Sequence, residues 1–239
     1  MCPSANEKKG LGAHRKPWMV FFDFDNTITS SDILDNIIAR FSINEEWKKY
    51  EDAWVDGKIG SRECLEKQMG GVRATREILS EYLSTIMIDP FFGKLLTLLR
   101  SKGIQYMIVS DSFSFLIKEI LRYNGIKRIK VCANRMKFRK DRITLSFPHI
   151  NPDCLRCAHC KLRHILEHAG KTTVYVGDGL SDICPAQDAD LVFAKAKLSE
   201  FFRKNKKPFM EFKDLQDVFH FFEDLEPLKS RTGRKLSRS

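Results

Sequence analysis

Along this chain of 239 residues, short apolar runs alternate with longer stretches whose apolar positions recur at helical spacing. The runs WMVFFDF from Trp18, IQYMIVS from Ile104, TTVYVGD from Thr172 and DLVFA from Asp190 are rich in β-branched and aromatic residues and predict strands. The first three end in Asp or Ser and pass into a polar or glycine-containing turn. Strands alternating with helices predict a parallel sheet covered on both faces, an α/β Rossmann-like core. Ligand sites in such sheets lie beyond the carboxyl ends of the strands, so the polar residues closing these runs are expected to converge on one crevice.

Between the first two runs the sequence reads as almost entirely helical. SSDILDNIIARF opens on serine and aspartate and carries helical apolar spacing, and NEEWKKYEDAWVDG sets Trp47, Tyr50 and Trp54 on one helical face. Two further segments, SRECLEKQMGG and TREILSEYLSTI, have serine or threonine starts. A strand-to-helix connection normally takes only a few residues. Residues 31–99 are therefore expected to form an inserted α-helical cap, with DPFFGKLLTLLRSKG returning to the sheet. Residues 17–30 and 100–228 would form the core. NRMKFRKDRITLSF predicts two short strands around an RKD turn, and EFKDLQDVFHFFEDL an amphipathic helix with Phe212, Leu215, Phe219 and Phe222 on its buried face. No internal repeat is present.

Composition narrows the class. At 43% hydrophobic the chain has the means to bury a core, and no apolar run reaches membrane-spanning length, so no membrane association is expected. The N-terminus lacks the apolar core of a signal peptide, and a cytoplasmic protein is expected. The formal charge of +10 is concentrated at the ends: the first 16 residues carry a net +3 and residues 229–239 a net +5, leaving +2 between. Both ends read as flexible, and a specific nucleic-acid partner is not expected. Weak anion binding by the basic tail is the alternative. Seven cysteines without a disulfide framework read as reduced thiols.

Candidate chemistry lies at the ends of the predicted strands. Asp23 and Asp25 follow the first run, and on a continued strand they would project from the same face. Two carboxylates held together repel, so a compensating cation is expected. DFDNT (Asp23 to Thr27), Ser110 in IVSDS, Lys161 in HCKLRH and GDGLSD (Gly177 to Asp182) follow in order. That order resembles the haloacid dehalogenase superfamily of phosphohydrolases, over about residues 18–225, and the helical insertion resembles the small cap of its phosphoserine phosphatase-like branch. The resemblance implies an Mg²⁺-dependent phosphomonoesterase working through an aspartyl-phosphate. Asp23 would be the nucleophile and Asp25 the general acid and base. Asp23, Asp25, Asp178 and Asp182 would serve the metal. Asn26, Thr27, Ser110, Asp111, Ser112 and Lys161 would hold the phosphoryl group.

The expected substrate is a small phosphorylated metabolite. VFFDFDNTI, IVSDSFSFLI and YVGDGLSDICP are similar to the phosphoethanolamine/phosphocholine and pyridoxal phosphate phosphatase family, which makes those compounds the leading candidates. That family also carries a cysteine-rich stretch ending in Cys-Lys, here CLRCAHCK. The cap segment EEWKKYEDAWVDGKIGSRE is more similar to the methionine-salvage phosphatase for 2-hydroxy-3-keto-5-methylthiopentenyl-1-phosphate. That substrate is the alternative, with phosphoserine a further one. Asp32 reads equally as a substrate contact and as a helix cap. Trp47, Trp54, Arg62 and Met69 read as packing residues before pocket residues. Cys154, Cys157 and Cys160, with His159 and His164 nearby, are ligand types that zinc accepts. Packing or redox sensitivity of those thiols is the readier explanation, and Cys184 reads as a packing residue. A receiver-type module also uses acids and Mg²⁺, but lacks the Asp23–Asp25 pair and the cap. A catalytically retired phosphate-binding module is the remaining non-enzymatic reading.

Overall fold

The computed structural model describes residues 16–139, 142–154 and 156–225. Seven strands form one sheet: β1 (Trp18–Phe22), β2 (Gln105–Phe113), β3 (Lys130–Arg139), β4 (Arg142–Ser146), β5 (Thr172–Gly177), β6 (Leu191–Ala194) and β7 (Met210–Glu211). Among the described residues ten α-helices accompany them: α1 (Ile33–Phe41), α2 (Trp47–Val55), α3 (Ser61–Gly71), α4 (Arg76–Ser84), α5 (Phe92–Ser101), α6 (Ser114–Tyr123), α7 (Lys161–Leu166), α8 (Ile183–Asp188), α9 (Ala196–Lys204) and α10 (Leu215–Asp224). The strand order is β4-β3-β2-β1-β5-β6-β7, parallel throughout except for the antiparallel β3–β4 pair. All four strand-like runs and the β3–β4 hairpin occur where the apolar pattern puts them. The fold is the α/β Rossmann-like one expected.

Both faces of the sheet are buried, as a parallel sheet requires. Along β1, Val20 and Phe22 enter the core shared with Phe92, Leu95, Leu215 and Phe222. Met19 and Phe21 point the other way, into a second cluster with Tyr175, Ile165, Leu198 and Phe202. β1 lies between β2 and β5, in the middle of the sheet, so the chain leaving it emerges over the crevice. The backbone stays tied to the sheet one residue further, through Asp23 N donating to the Val176 carbonyl at 2.9 Å.

The strand itself ends at Phe22, which corrects one expectation: Asp25 is not on β1 and does not share a strand face with Asp23. The chain turns at once, with Ile28 N donating to the Phe24 carbonyl at 2.8 Å and Asn26 at φ 54°. Asn is among the few side chains that adopt this left-handed conformation readily.

The helical insertion leaves and re-enters through a narrow neck. Thr29 and Ile88 form an antiparallel bridge, and Asp89 N donates to the Ile28 carbonyl at 2.8 Å. Helices α2 and α3 pack together, and α1 packs on α3. Asp32 caps α1 by accepting from Asp35 N at 2.9 Å, and Ile33, Leu34, Ile37 and Ile38 make its buried face. α4 lies against α6, while α5 packs on β2 and α10. Asp89 also accepts from Leu215 N at 2.9 Å, which ties the neck to the start of α10. Among the described residues no helix is long and apolar enough to cross a membrane. Residues 1–15 and the basic tail from Lys229 lie outside the described residues.

Candidate active site

A cavity of about 610 Å³ opens between the strand ends and the helical insertion. On the sheet side it is lined by Asp23, Asp25, Ser110, Lys161 and Asp178, and on the helical side by Asp35, Glu51, Trp54 and Gln68. The residues singled out from four separate parts of the chain therefore meet in one place.

Lys161 organises the floor. It opens α7, and its buried Nζ lies 2.7 Å from Asp23 Oδ1, 2.7 Å from Asp182 Oδ1 and 3.1 Å from Ser181 Oγ. Burial alone would strip the proton from this ammonium, but Asp182 and Asp23 overcome it and hold its pKa well above the ordinary lysine value. The cation is thus fixed at the site.

Asp182 has no carboxylate oxygen to spare. Its Oδ1 accepts from Lys161 and from the Tyr175 hydroxyl at 2.6 Å, and its Oδ2 accepts from Asp178 N and Gly179 N at 3.0 and 2.9 Å. Gly177 makes room for it, since a Cβ there would lie 2.6 Å from Asp182 Oδ2. Ligand atoms of Asp23, Asp178 and Asp182 all lie within 4.8 Å of one another. Burial raises the Asp23 pKa first, with Asp182 adding to it and Lys161 opposing. Burial and then Asp182 push Asp178 up to about 6, although the Thr27 hydroxyl donates to its Oδ1 at 3.0 Å. Crowded, buried carboxylate oxygens of this kind form a hard donor set that suits an oxygen-seeking divalent cation such as Mg²⁺.

Asp25 lines the same cavity from the turn. Its Oδ1 accepts from Ile33 N at 2.9 Å, so the first turn of α1 orients it. Burial raises its pKa well above the usual carboxylate range, with Asp32 adding repulsion. Ser110 is buried inside β2, which runs on past the predicted end to Phe113 with a register shift after Ser110, and its Oγ accepts from Ser112 N at 3.0 Å. That amide and Asn26 N, which donates to the Ser31 carbonyl at 3.3 Å, are therefore both engaged within the protein. Asp111 sits between the two serines; its Oδ1 is buried without a partner, and burial pushes its pKa to about 6.

Several sequence-derived assignments sharpen. Asp32 is a helix cap that also lines the cavity. Trp54 reaches the cavity and donates its indole N–H to Ser61 Oγ at 2.9 Å. Trp47 packs on the core, Met69 is buried in it, and Arg62 pairs with Glu66 on the surface. Cys184 is half-buried. Tyr175 and Ser181 escaped sequence reasoning. Tyr175 stands in an apolar run, where its ring reads as core, and the only signal was a hydroxyl two residues before GDG.

Comparison with known proteins agrees with this geometry. The model of the family described as Putative Phosphatase matches residues 18–208. A 2-hydroxy-3-keto-5-methylthiopentenyl-1-phosphate phosphatase of Brevibacillus brevis is 25% identical over 217 residues, covering 88% of this chain and 97% of that protein. The enzyme of the same name from Geobacillus thermodenitrificans is 27% identical, covering 89% and 98%. In fold, the chain is similar to a phospho-aspartyl intermediate analogue of phosphoserine phosphatase, with a TM-score of 0.63, 22% identity and coverage of 87% and 99%. A substrate-bound phosphoserine phosphatase gives 0.63 at 21% identity, with coverage of 90% and 99%. The chain belongs to the putative phosphatase family and is a phosphoric monoester hydrolase of the haloacid dehalogenase superfamily.

Proposed function

We propose that this phosphatase hydrolyses a small phosphomonoester with Asp23 as nucleophile, Asp25 as general acid and base, and Mg²⁺ as cofactor. The observation that carries this reading is the buried Lys161 ammonium, 2.7 Å from both Asp23 and Asp182 inside a cavity that also holds Ser110 and Asp178. Lys161 holds Asp23 through Oδ1, which leaves Oδ2 for the attack on phosphorus. As that bond forms, the ester P–O bond breaks and the leaving alkoxide takes the proton from Asp25. The raised pKa of Asp25 suits this, because its carboxyl must be protonated when the ester opens. Asp25 then takes a proton from the water that attacks the aspartyl-phosphate, which releases phosphate and restores Asp23.

Lys161, the Ser110 hydroxyl and Thr27 would steady the phosphoryl oxygens, along with backbone amides near Asn26, Asp111 and Ser112 once these exchange their internal partners. Asp23 and Asp178, with the carbonyl of Asp25, would hold Mg²⁺, which neutralises the phosphoryl dianion and the developing charge. Asp182 acts through Lys161 and the Asp178–Gly179 backbone as a positioning residue, because all of its contacts run to them and to Tyr175.

For the substrate, the relatives reorder the candidates. Their names carry 2-hydroxy-3-keto-5-methylthiopentenyl-1-phosphate and lend nothing to phosphoethanolamine, phosphocholine or pyridoxal phosphate, so the methylthio ketose phosphate is the first to test. One observation favours a second reading: Asp32, Asp35 and Glu51 line the cavity together, a wall that suits a substrate with an amine. Phosphate release with Mg²⁺ across a panel of the ketose phosphate, phosphoserine, phosphoethanolamine, phosphocholine and pyridoxal phosphate decides between them. Release by the wild type and not by Asp23→Asn is expected. Absence of release from every monoester, with the fold and metal binding intact, overturns the reading.

A further inference from the structure

The loop that leads to Lys161 and the first turn of α7 bring three imidazoles together. His149 stands at the beginning of the loop that runs to Lys161, His159 two residues before Lys161, and His164 on the first turn of α7. One ring nitrogen of each lies within 4.8 Å of the other two. His159 and His164 are buried, and their Nε2 atoms are 2.8 Å apart. We propose that His149, His159 and His164 form a second metal site, separate from the acidic centre, for a transition cation of the zinc class, and that this ion braces the loop delivering Lys161.

The chemistry of the donors selects the ion. Imidazole nitrogens suit zinc, cobalt, nickel and copper, whereas Mg²⁺ and Ca²⁺ take oxygen. With Zn–N bonds of about 2.0–2.1 Å, ligands on a tetrahedron lie about 3.3 Å apart. That spacing falls between the 2.8 Å of the closest pair and the 4.8 Å limit of the cluster, so small side-chain rotations suffice. Three protein ligands leave a fourth position for water.

Independent features point the same way. Glu167 Oε2 stands 3.8 Å from His164 Nδ1, on the ring nitrogen opposite the cluster. A carboxylate there is the usual means of orienting a metal-bound imidazole. Burial lowers the pKa of His159, and burial followed by the charge of His149 lowers that of His164 to about 4, so both rings are in the neutral form that binds metal. The sequence offers Cys154, Cys157 and Cys160, with His159 and His164 nearby, as ligand types that zinc accepts, and packing or redox sensitivity as the readier explanation of the thiols. Cys154 and Cys157 have their sulfurs 3.9 Å apart, but no thiol belongs to a three-ligand cluster among the described residues.

The loop connects three parts of the molecule. Cys160 N donates to the His149 carbonyl at 2.8 Å, closing its two ends together, and the Arg156 carbonyl accepts from Ser61 N of α3 at 2.8 Å. An ion at the histidines would therefore fix the segment that both touches the helical insertion and presents Lys161.

The test uses the full chain, stripped of metal, returned to excess Mg²⁺ and titrated with Co²⁺. Binding of one Co²⁺ per chain is expected, with the d–d bands of a low-coordinate imidazole site, no thiolate charge-transfer band, and displacement by Zn²⁺. His164→Gln and His149→Ala are each expected to weaken Co²⁺ at least about tenfold, while Asp178→Asn leaves it bound. If His164→Gln does not fold, the wild-type spectrum and the partly exposed His149 variant carry the test. The proposal is overturned by no Co²⁺ binding in excess Mg²⁺, by a thiolate band, by unchanged affinity in the folded histidine variants, or by loss of Co²⁺ in Asp178→Asn. None of these readouts requires turnover, so they are independent of the substrate and of the Asp23 mechanism.

Discussion

Gly177 shows how narrowly the site is built around single atoms. A Cβ at this position would approach Asp182 Oδ2 to 2.6 Å and the Tyr175 ring to 2.9 Å, so Gly177→Ala must displace the carboxylate that aligns Lys161. We expect a loss of about 1–3 kcal/mol in urea unfolding, together with a lower kcat. Asp25→Asn should instead cut kcat by about 10²–10⁴-fold, the usual contribution of a general acid and base, without loss of stability, since burial already disfavours the charged carboxylate. Asp111 supplies a pH signature. Its pKa rises to about 6 on folding from the ordinary carboxylate value of 3.8, so its stabilising contribution is complete below the lower value and is lost as pH climbs through the upper one. Asp111→Asn should therefore gain on the wild type by about 2 kcal/mol between pH 4 and pH 7. Parallel denaturation curves at the two ends of that range would exclude it. That Asp23, Ser110, Asp178 and Lys161 would meet at one crevice was legible because the first three close apolar runs and Lys161 follows a polar turn. Tyr175 was not, since a tyrosine inside TTVYVGD reads as core and only the folded sheet shows what its hydroxyl meets.

Elements declare their own existence in sequence more clearly than their partners. The apolar runs gave β1, β2, β5 and β6 directly, and β3 and β4 pair as the expected hairpin, while Lys140 and Asp141 of the RKD turn lie outside the described residues. The face of Trp47, Tyr50 and Trp54 correctly indicated helix α2, yet none of its residues is buried, and Trp54 turns to the cavity. Periodicity specifies a face and leaves open whether that face meets a core or a substrate. The same limit affects the cap. Within the 31–99 span expected to form it, α5 packs on β2 and α10, and the Thr29–Ile88 bridge precedes that helix. Asp32 combines two roles that one substitution pair separates. Asp32→Ser keeps a capping oxygen, whereas Asp32→Ala removes it and should cost about 0.5–2 kcal/mol in unfolding. If Asp32 only caps α1, the serine variant keeps wild-type kcat/KM. A drop in kcat/KM in both variants, with stability lost only in alanine, would mark it as a substrate contact.

Taken as a whole, the molecule concentrates negative charge where a negatively charged substrate must bind. Asp23, Asp25, Asp32, Asp35, Glu51 and Asp178 all line one cavity, and the buried Lys161 is already shared between Asp23 and Asp182. Folding without a divalent cation therefore works against this repulsion, and a bound cation should return stability through mass action. At free Mg²⁺ of about 100 times its dissociation constant the gain is about 2.7 kcal/mol, or about 5–10 °C in Tm for a chain of this size. Asp178→Asn tests where the ion acts. Asparagine keeps an oxygen for the Thr27 hydroxyl and removes a charge that burial and Asp182 both oppose. Without Mg²⁺ the variant should thus melt at or above the wild-type temperature. With Mg²⁺ the wild type should overtake it, because the variant has lost a carboxylate proposed to hold the cation. A thermal shift series in Mg²⁺ for the two proteins reads this crossing, and equal Mg²⁺ shifts in both would remove Asp178 from the metal centre.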